Sequence, residues 1–175
     1  YSIVSPLDTN NDRGARVYSV SVETGTKDIT STTESTTELT SEETPSEDTT
    51  AAPAPSGNTW TAGDTAPSWL NLNGASAAKN SSSYNAFADT NGTGTAFEMA
   101  VEIASGGTFT VTPQAAGTIK VYAAGDNNTA GKGDLTAAYA DGSSAGSYSL
   151  PGRKDTAATA FEVAVSDAQV GSEIT

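Results

Sequence analysis

Two nearly identical heptads, TAFEMAV at residues 95–101 and TAFEVAV at 159–165, alternate apolar with polar or small side chains. In FEMAVEI, residues 97–103, Phe97, Met99, Val101 and Ile103 share one parity, and Glu98, Ala100 and Glu102 share the other. In FEVAV, residues 161–165, Phe161, Val163 and Val165 face one way and Glu162 the other. This is the period of an extended strand with one dry face and one wet face, and wound as a helix the same residues would scatter around the axis. The repetition reads as two strands in structurally equivalent places. A tandem duplication is disfavoured because the match fades outside the heptads.

The same grammar recurs along the chain. TFTVT (108–112) turns Phe109 and Val111 inward, and TIKVYAA (118–124) does so with Ile119, Val121 and Ala123. LTAAYA (135–140), TWTA (59–62) and SWLNL (68–72) are shorter candidates, and Trp60 and Trp69 are expected in the core. Clusters of Gly, Asn and Asp separate the strands: NGTG at 91–94, SGG at 105–107, GDNNTAGKGD at 125–134 and DGSSAG at 141–146. No amphipathic helix of useful length is present. Short strands punctuated by turns predict an all-β fold, an antiparallel two-sheet β-sandwich of jelly-roll-like form.

Composition divides the chain into three parts. Residues 26–57, TKDITSTTESTTELTSEETPSEDTTAAPAPSG, contain two large aliphatics, Ile29 and Leu39, and no aromatic. Such a segment cannot bury enough apolar surface to offset its ordering entropy, so a disordered Thr/Ser/Glu-rich linker is expected. Before it, RVYSVSVE (16–23) alternates as a strand, with Tyr18, Val20 and Val22 assigned to one face. Residues 1–25 are expected to be the closing strands of a preceding β module, and 58–175 a second sandwich truncated at its C-terminus. Pairing of the front strand with 58–175 is the alternative. A first residue other than Met and the lack of a signal peptide fit an internal piece of a longer protein.

Several functions are excluded by residue usage. A net charge of −13 opposes binding to nucleic acid or to anionic lipid. No Cys and no His means no disulfide framework, no thiol nucleophile and no imidazole base or ligand. No apolar run approaches the ~20 residues of a membrane span. The carboxylates form no glycosidase pair: Glu98 and Glu102 on one strand would stand about 13 Å apart. Glu98 and Glu162, from the two heptads, are candidate cross-strand neighbours whose simpler role is solvation.

The phrases TFTVTPQAAGTIKVYAAG and TAFEVAV, with RVYSVSVE as a closing strand, resemble β-sandwich modules attached to secreted pectate lyases and related polysaccharide-degrading enzymes of anaerobic gut bacteria. The resemblance covers residues 58–175 and extends to 1–24. It implies a non-catalytic carbohydrate-binding module, secreted and extracellular. A catalytic module would be covalently linked elsewhere in the parent chain, and a plant cell-wall polysaccharide such as pectin (homogalacturonan) would be the ligand. The alternative is a structural or adhesive sandwich repeat of a bacterial surface protein.

The resemblance supplies no binding residue, so candidates come from chemistry. A uronate polymer calls for aromatic platforms and for Lys or Arg to meet its carboxylates. Residues 58–175 hold five cations, four of them between 120 and 154. The candidate ligand-binding set is therefore Lys120, Tyr122, Lys132, Tyr148, Arg153 and Lys154, weighed against scattered solubilising charge. For calcium, Asp126, Asn128 and Asp134 offer oxygen ligands in the Gly-rich loop, weighed against a plain hairpin turn. Asp8, Asn10 and Asp12 have the one-three-five spacing of an EF-hand loop, but Arg13 stands at the sixth position and Ser19 at the twelfth, so a polar turn is the default.

Overall fold

The structure, a computed structural model, describes residues 14–25, 58–131 and 133–175. The Asp8–Asp12 turn, the linker 26–57 and Lys132 lie outside the described residues.

Ten strands are found among the described residues: β1 (Ala15–Thr24), β2 (Thr59–Thr61), β3 (Leu70–Asn71), β4 (Lys79–Asn80), β5 (Met99–Ile103), β6 (Thr110–Val111), β7 (Gly117–Gly125), β8 (Asp134–Ala138), β9 (Ser144–Ser149) and β10 (Phe161–Val165). Helical structure there amounts to two single 3₁₀ turns, Ser82–Tyr84 and Asp167–Gln169. The fold is all-β, and every strand pairing is antiparallel. The main sheet runs β10-β7-β1-β5-β4, with β2 also pairing to β1, and β3–β6 and β8–β9 form two small sheets.

The centre of the main sheet is β1. Its register with β7 runs from Ala15↔Gly125 to Thr24↔Gly117. Its other edge is shared: Ala15–Val17 pair with β5, and Ser19–Ser21 pair with β2. The expectation that residues 1–25 close a preceding module is thereby corrected for 15–24, which belong to the same sheet as the strands of 58–175. The reason lies in side chains as well as backbone. Ala15, Val17, Val20 and Val22 all enter the main apolar cluster, between 0% and 5% exposed.

That set of residues breaks simple alternation, and the register shows how. Val17 faces Ala123 and Ser19 faces Tyr122, so Tyr18 is an extra residue, a β-bulge. The bulge resets parity, letting Val17 and Val20 point to the same face. It also sends Tyr18 to the opposite one, correcting its expected place beside Val20 and Val22.

The heptads occupy matching positions. β5 flanks β1 on one side of the central β1–β7 pair, and β10 flanks β7 on the other. Val101 and Ile103, like Phe161, Val163 and Val165, are buried in the main core, where Trp60 and Trp69 also lie. The exception is Phe97. It precedes the first residue of β5 and turns to the other face, onto Tyr18 and Tyr122.

The opposite face of the sheet carries a second cluster of Tyr18, Ala86, Phe87, Ala100, Ala124 and Ala158, with Phe97 and Tyr122 against it. It is roofed by two crossing segments joined by Phe87 N–H to Asp155 O and Asp89 N–H to Thr156 O, both 3.0 Å. Phe87 holds φ +61°, a strained value for a bulky side chain. Edge-to-face contacts with Tyr18 and Tyr122, 5.8 and 5.4 Å between centroids, hold it there.

Candidate functional site

An alternating chain of charges crosses the end of the main sheet. Lys79 of β4 meets Glu102 of β5 at 2.5 Å, and Glu102 meets Arg16 of β1 at 2.9 Å. Arg16 meets Asp126, just after β7, at 2.6 Å, and Asp126 meets Arg153 at 3.1 Å. Arg153 also donates from Nε to Asn128 Oδ1 at 2.9 Å, and its guanidinium lies 4.2 Å from the centroid of Tyr84. Arg16 approaches the same ring at 5.1 Å. The register Arg16↔Glu102 and Arg16↔Ala124 fixes this geometry, because it aims one guanidinium at a carboxylate on β5 and at another just past the end of β7. Burial works against the charge of Arg16, but the hydrogen bond and charge of Asp126 and the charge of Glu102 outweigh it and raise its pKa.

This network takes in members of both candidate sets from the sequence. Asp126 accepts from Arg16 and Arg153, and Asn128 accepts from Arg153. Asp134 opens β8 opposite Ser149, and no group of three acidic side chains placed to hold a metal occurs among the described residues. Arg153 is drawn into the network and away from open solvent, while Lys154 beside it is exposed. Lys120 sits between Glu23 at 2.9 Å and Glu162 at 3.7 Å, which raises its pKa chiefly through the Glu23 hydrogen bond. Tyr122, assigned to solvent by parity, is half-buried in the aromatic cluster because the roof covers that face. Tyr148 stacks on Phe161 at 5.5 Å and donates its hydroxyl to Thr159 O at 2.5 Å. Burial pushes its phenol up to about 12, with Asp155 adding to the rise. The five described members of that set, Lys120, Tyr122, Tyr148, Arg153 and Lys154, do not form one face. Glu98 and Glu162 are not neighbours either, since β1 and β7 lie between their strands and Glu162 opposes Lys120.

A second feature was not foreseen. A groove of about 470 Å³ opens between Thr61–Asp64 and Asn91–Met99. Its apolar wall is Phe97 and Met99, both half-buried, and its rim carries the carboxylates of Asp64 and Glu98, both exposed. The opposite lip, Asn91–Thr95, is locked by its own hydrogen bonds. Asn91 Oδ1 accepts from the N–H and hydroxyl of Thr93 at 3.0 and 2.9 Å, and Asn91 Nδ2 donates to Thr95 O at 2.8 Å. The wall is equally fixed, because Phe97 stacks on Tyr18 at 5.6 Å. An apolar strip flanked by hydrogen-bonding groups in a preset shape can hold a small amphipathic ligand without paying for loop ordering. Within the sequence only the departure of Phe97 from its heptad's function could have marked this groove, and that departure is invisible to alternation.

Comparison with models of known protein families gave no match, and comparisons with curated proteins and with solved structures gave none either.

Proposed function

We infer that this chain is a non-catalytic carbohydrate-binding module of a secreted, multimodular polysaccharide-degrading enzyme, and that its ligand is a plant cell-wall glycan held in the Phe97–Met99 groove. The observation that carries the reading is the composition of that groove. A pyranose presents an apolar C–H face and a ring of hydroxyls, which an aromatic and thioether wall with carboxylate and threonine rims complements. Asp64 and Glu98 accept hydrogen bonds from hydroxyls and repel carboxylates, so the groove favours a neutral glycan over a uronate.

The fold reading goes with it. A two-sheet, jelly-roll-like sandwich is supported by one apolar cluster that unites Val20, Val121 and Phe161 of the main sheet with Leu70 and Val111 of β3–β6 and Leu135 and Ala137 of β8–β9. Paired bonds of Ile174 with Val111 and of Thr175 with Ala138 bridge the two small sheets.

Homogalacturonan is the second reading, favoured by the cation-bearing ledge of Tyr84, Arg153 and exposed Lys154. Affinity electrophoresis in gels containing β-glucan, xylan or homogalacturonan, with calcium or with EDTA, separates the two. Retardation by a neutral glycan that Phe97→Ala abolishes and Lys154→Ala leaves intact is the expected result. Retardation by homogalacturonan alone, lost in Lys154→Ala, moves the ligand to the ledge. No retardation in any gel overturns the binding role in favour of the structural or adhesive repeat.

A further inference from the structure

The Phe97–Met99 groove carries negative charge that the molecule leaves uncompensated. Its lining residues include no cation, and neither rim carboxylate, Asp64 or Glu98, has an ion-pair partner among the described residues. Elsewhere on the same sheet carboxylates are answered: Glu102 by Arg16 and Lys79, and Glu23 and Glu162 by Lys120. Lys79 stands one register step from the groove, since its neighbour Asn80 pairs with Met99, but it is held on Glu102 at 2.5 Å.

The backbone under both rim acids is anchored. Asp64 N–H donates to Thr61 O at 3.0 Å, and Asp64 O accepts from Trp60 Nε1 at 3.1 Å. Glu98 O accepts from Ser81 N–H at 2.7 Å. Phe97 is anchored as well, by its stack on Tyr18. Two unpaired carboxylates and an aromatic ring around one cavity match an ammonium group, which is drawn to the acids by charge and to the ring by its quadrupole. The lip of Asn91, Thr93 and Thr95 adds amide and hydroxyl groups for the remaining hydroxyls of a sugar. A lysine side chain would use the charges but not the flat wall or this lip.

We propose that the groove takes a further class of ligand, a glycan of 2-amino-2-deoxy sugars with protonated amines, in preference to a neutral glycan of the same linkage. The proposal rests on the reading of this groove as a pyranose site. Replacing a hydroxyl by an ammonium adds surface ion pairs and a cation–π contact, together about tenfold in Kd.

The test is isothermal titration calorimetry of the full chain with β-1,4-linked oligomers of glucosamine and of glucose, equal in length. The buffer is held at about pH 6, below the ~8 of an α-amino group. Salt at about 0.15 M screens the overall charge of the protein. The glucosamine oligomer is expected to bind about tenfold tighter than the glucose oligomer. In the Asp64→Asn/Glu98→Gln double variant that ratio is expected to fall to about one, and raising the buffer to about pH 9.5, where the amine is neutral, does the same for the unaltered chain. Phe97→Ala is expected to remove binding of both oligomers. A lysine oligomer of equal charge is expected to bind at least tenfold more weakly than the glucosamine oligomer.

Binding of the glucose oligomer with a ratio of one or less overturns this proposal and leaves the glycan reading standing. A high ratio that survives in the double variant, or a lysine oligomer that binds as tightly, also overturns it, because the rim acids or the sugar would then not be what selects the ligand. Binding of neither oligomer overturns the proposal together with the reading on which it rests.

Discussion

Val20→Ala tests whether β1 holds up the part of the molecule that both tryptophans report. Val20 is fully buried and lies opposite Trp60 on one side and Val121 on the other. Trp60 and Trp69 are the chain's only tryptophans and lie in the same apolar cluster. Removing two methyl groups forfeits about 1.6 kcal/mol of transfer free energy. The residual cavity adds about 1 kcal/mol, for a total of about 2–3 kcal/mol. Tryptophan fluorescence in a urea titration reads the effect. With a slope of about 2 kcal/mol/M for a domain of this size, the midpoint falls by about 1–1.5 M while the slope stays constant. Val170→Ala, at an exposed residue, is the control and shifts stability by less than about 0.5 kcal/mol. A Val20→Ala midpoint no lower than that of the control would refute the reasoning, because β1 would then contribute nothing to the environment of Trp60.

Three further outcomes are expected. Arg16→Ala leaves Glu102 and Asp126 without the guanidinium that joins them and costs about 2–3 kcal/mol in the same titration, and Arg16→Lys recovers only part of this because one ammonium cannot span both carboxylates as a fork does. In a spectrophotometric titration, the Tyr148 phenol ionises near 12, and Tyr148→Phe deletes that late phase. Because the folded-state pKa of Tyr148 is raised above its unfolded value near 10, the associated stability is full below about pH 10 and is lost as pH climbs towards 12, a decline that Tyr148→Phe flattens.

Alternation carried most of the fold. FEVAV, TIKVYAA and TFTVT state their buried faces outright, because a strand with one dry face has to write apolar residues at every second position. No expected strand covered β4, and β9 begins at Ser144 inside the DGSSAG stretch expected to separate strands. Two further features escaped alternation for physical reasons. The bulge at Tyr18 inserts one residue into RVYSVSVE, and no local pattern distinguishes that from uninterrupted alternation when Tyr, Val and Val are all apolar. The position of β1 depends on pairing across a long connection, where residue identity in the linker has no bearing. The site was legible only as residue types. Asp126 and Asn128 were singled out as calcium ligands and Arg153 as a polysaccharide contact, and the residues they meet, Arg16 and Tyr84, lie 110 and 42 residues from Asp126 in sequence. A cation seen in isolation reads as a ligand contact, and only the fold shows that a carboxylate already holds it. Tyr122 was misassigned for a related reason: its parity does face away from the main core, yet a second cluster roofs that face.

The most direct test of the binding claim is an NMR titration of the ¹⁵N-labelled chain with soluble oligosaccharides from β-glucan, xylan and homogalacturonan. The groove account predicts saturable amide shifts confined to Thr61–Asp64 and Asn91–Met99 with a neutral oligosaccharide, and their loss in Phe97→Ala. Saturable shifts confined to the neighbourhood of Tyr84, Arg153 and Lys154, or no saturable shifts with any of the three, would contradict it.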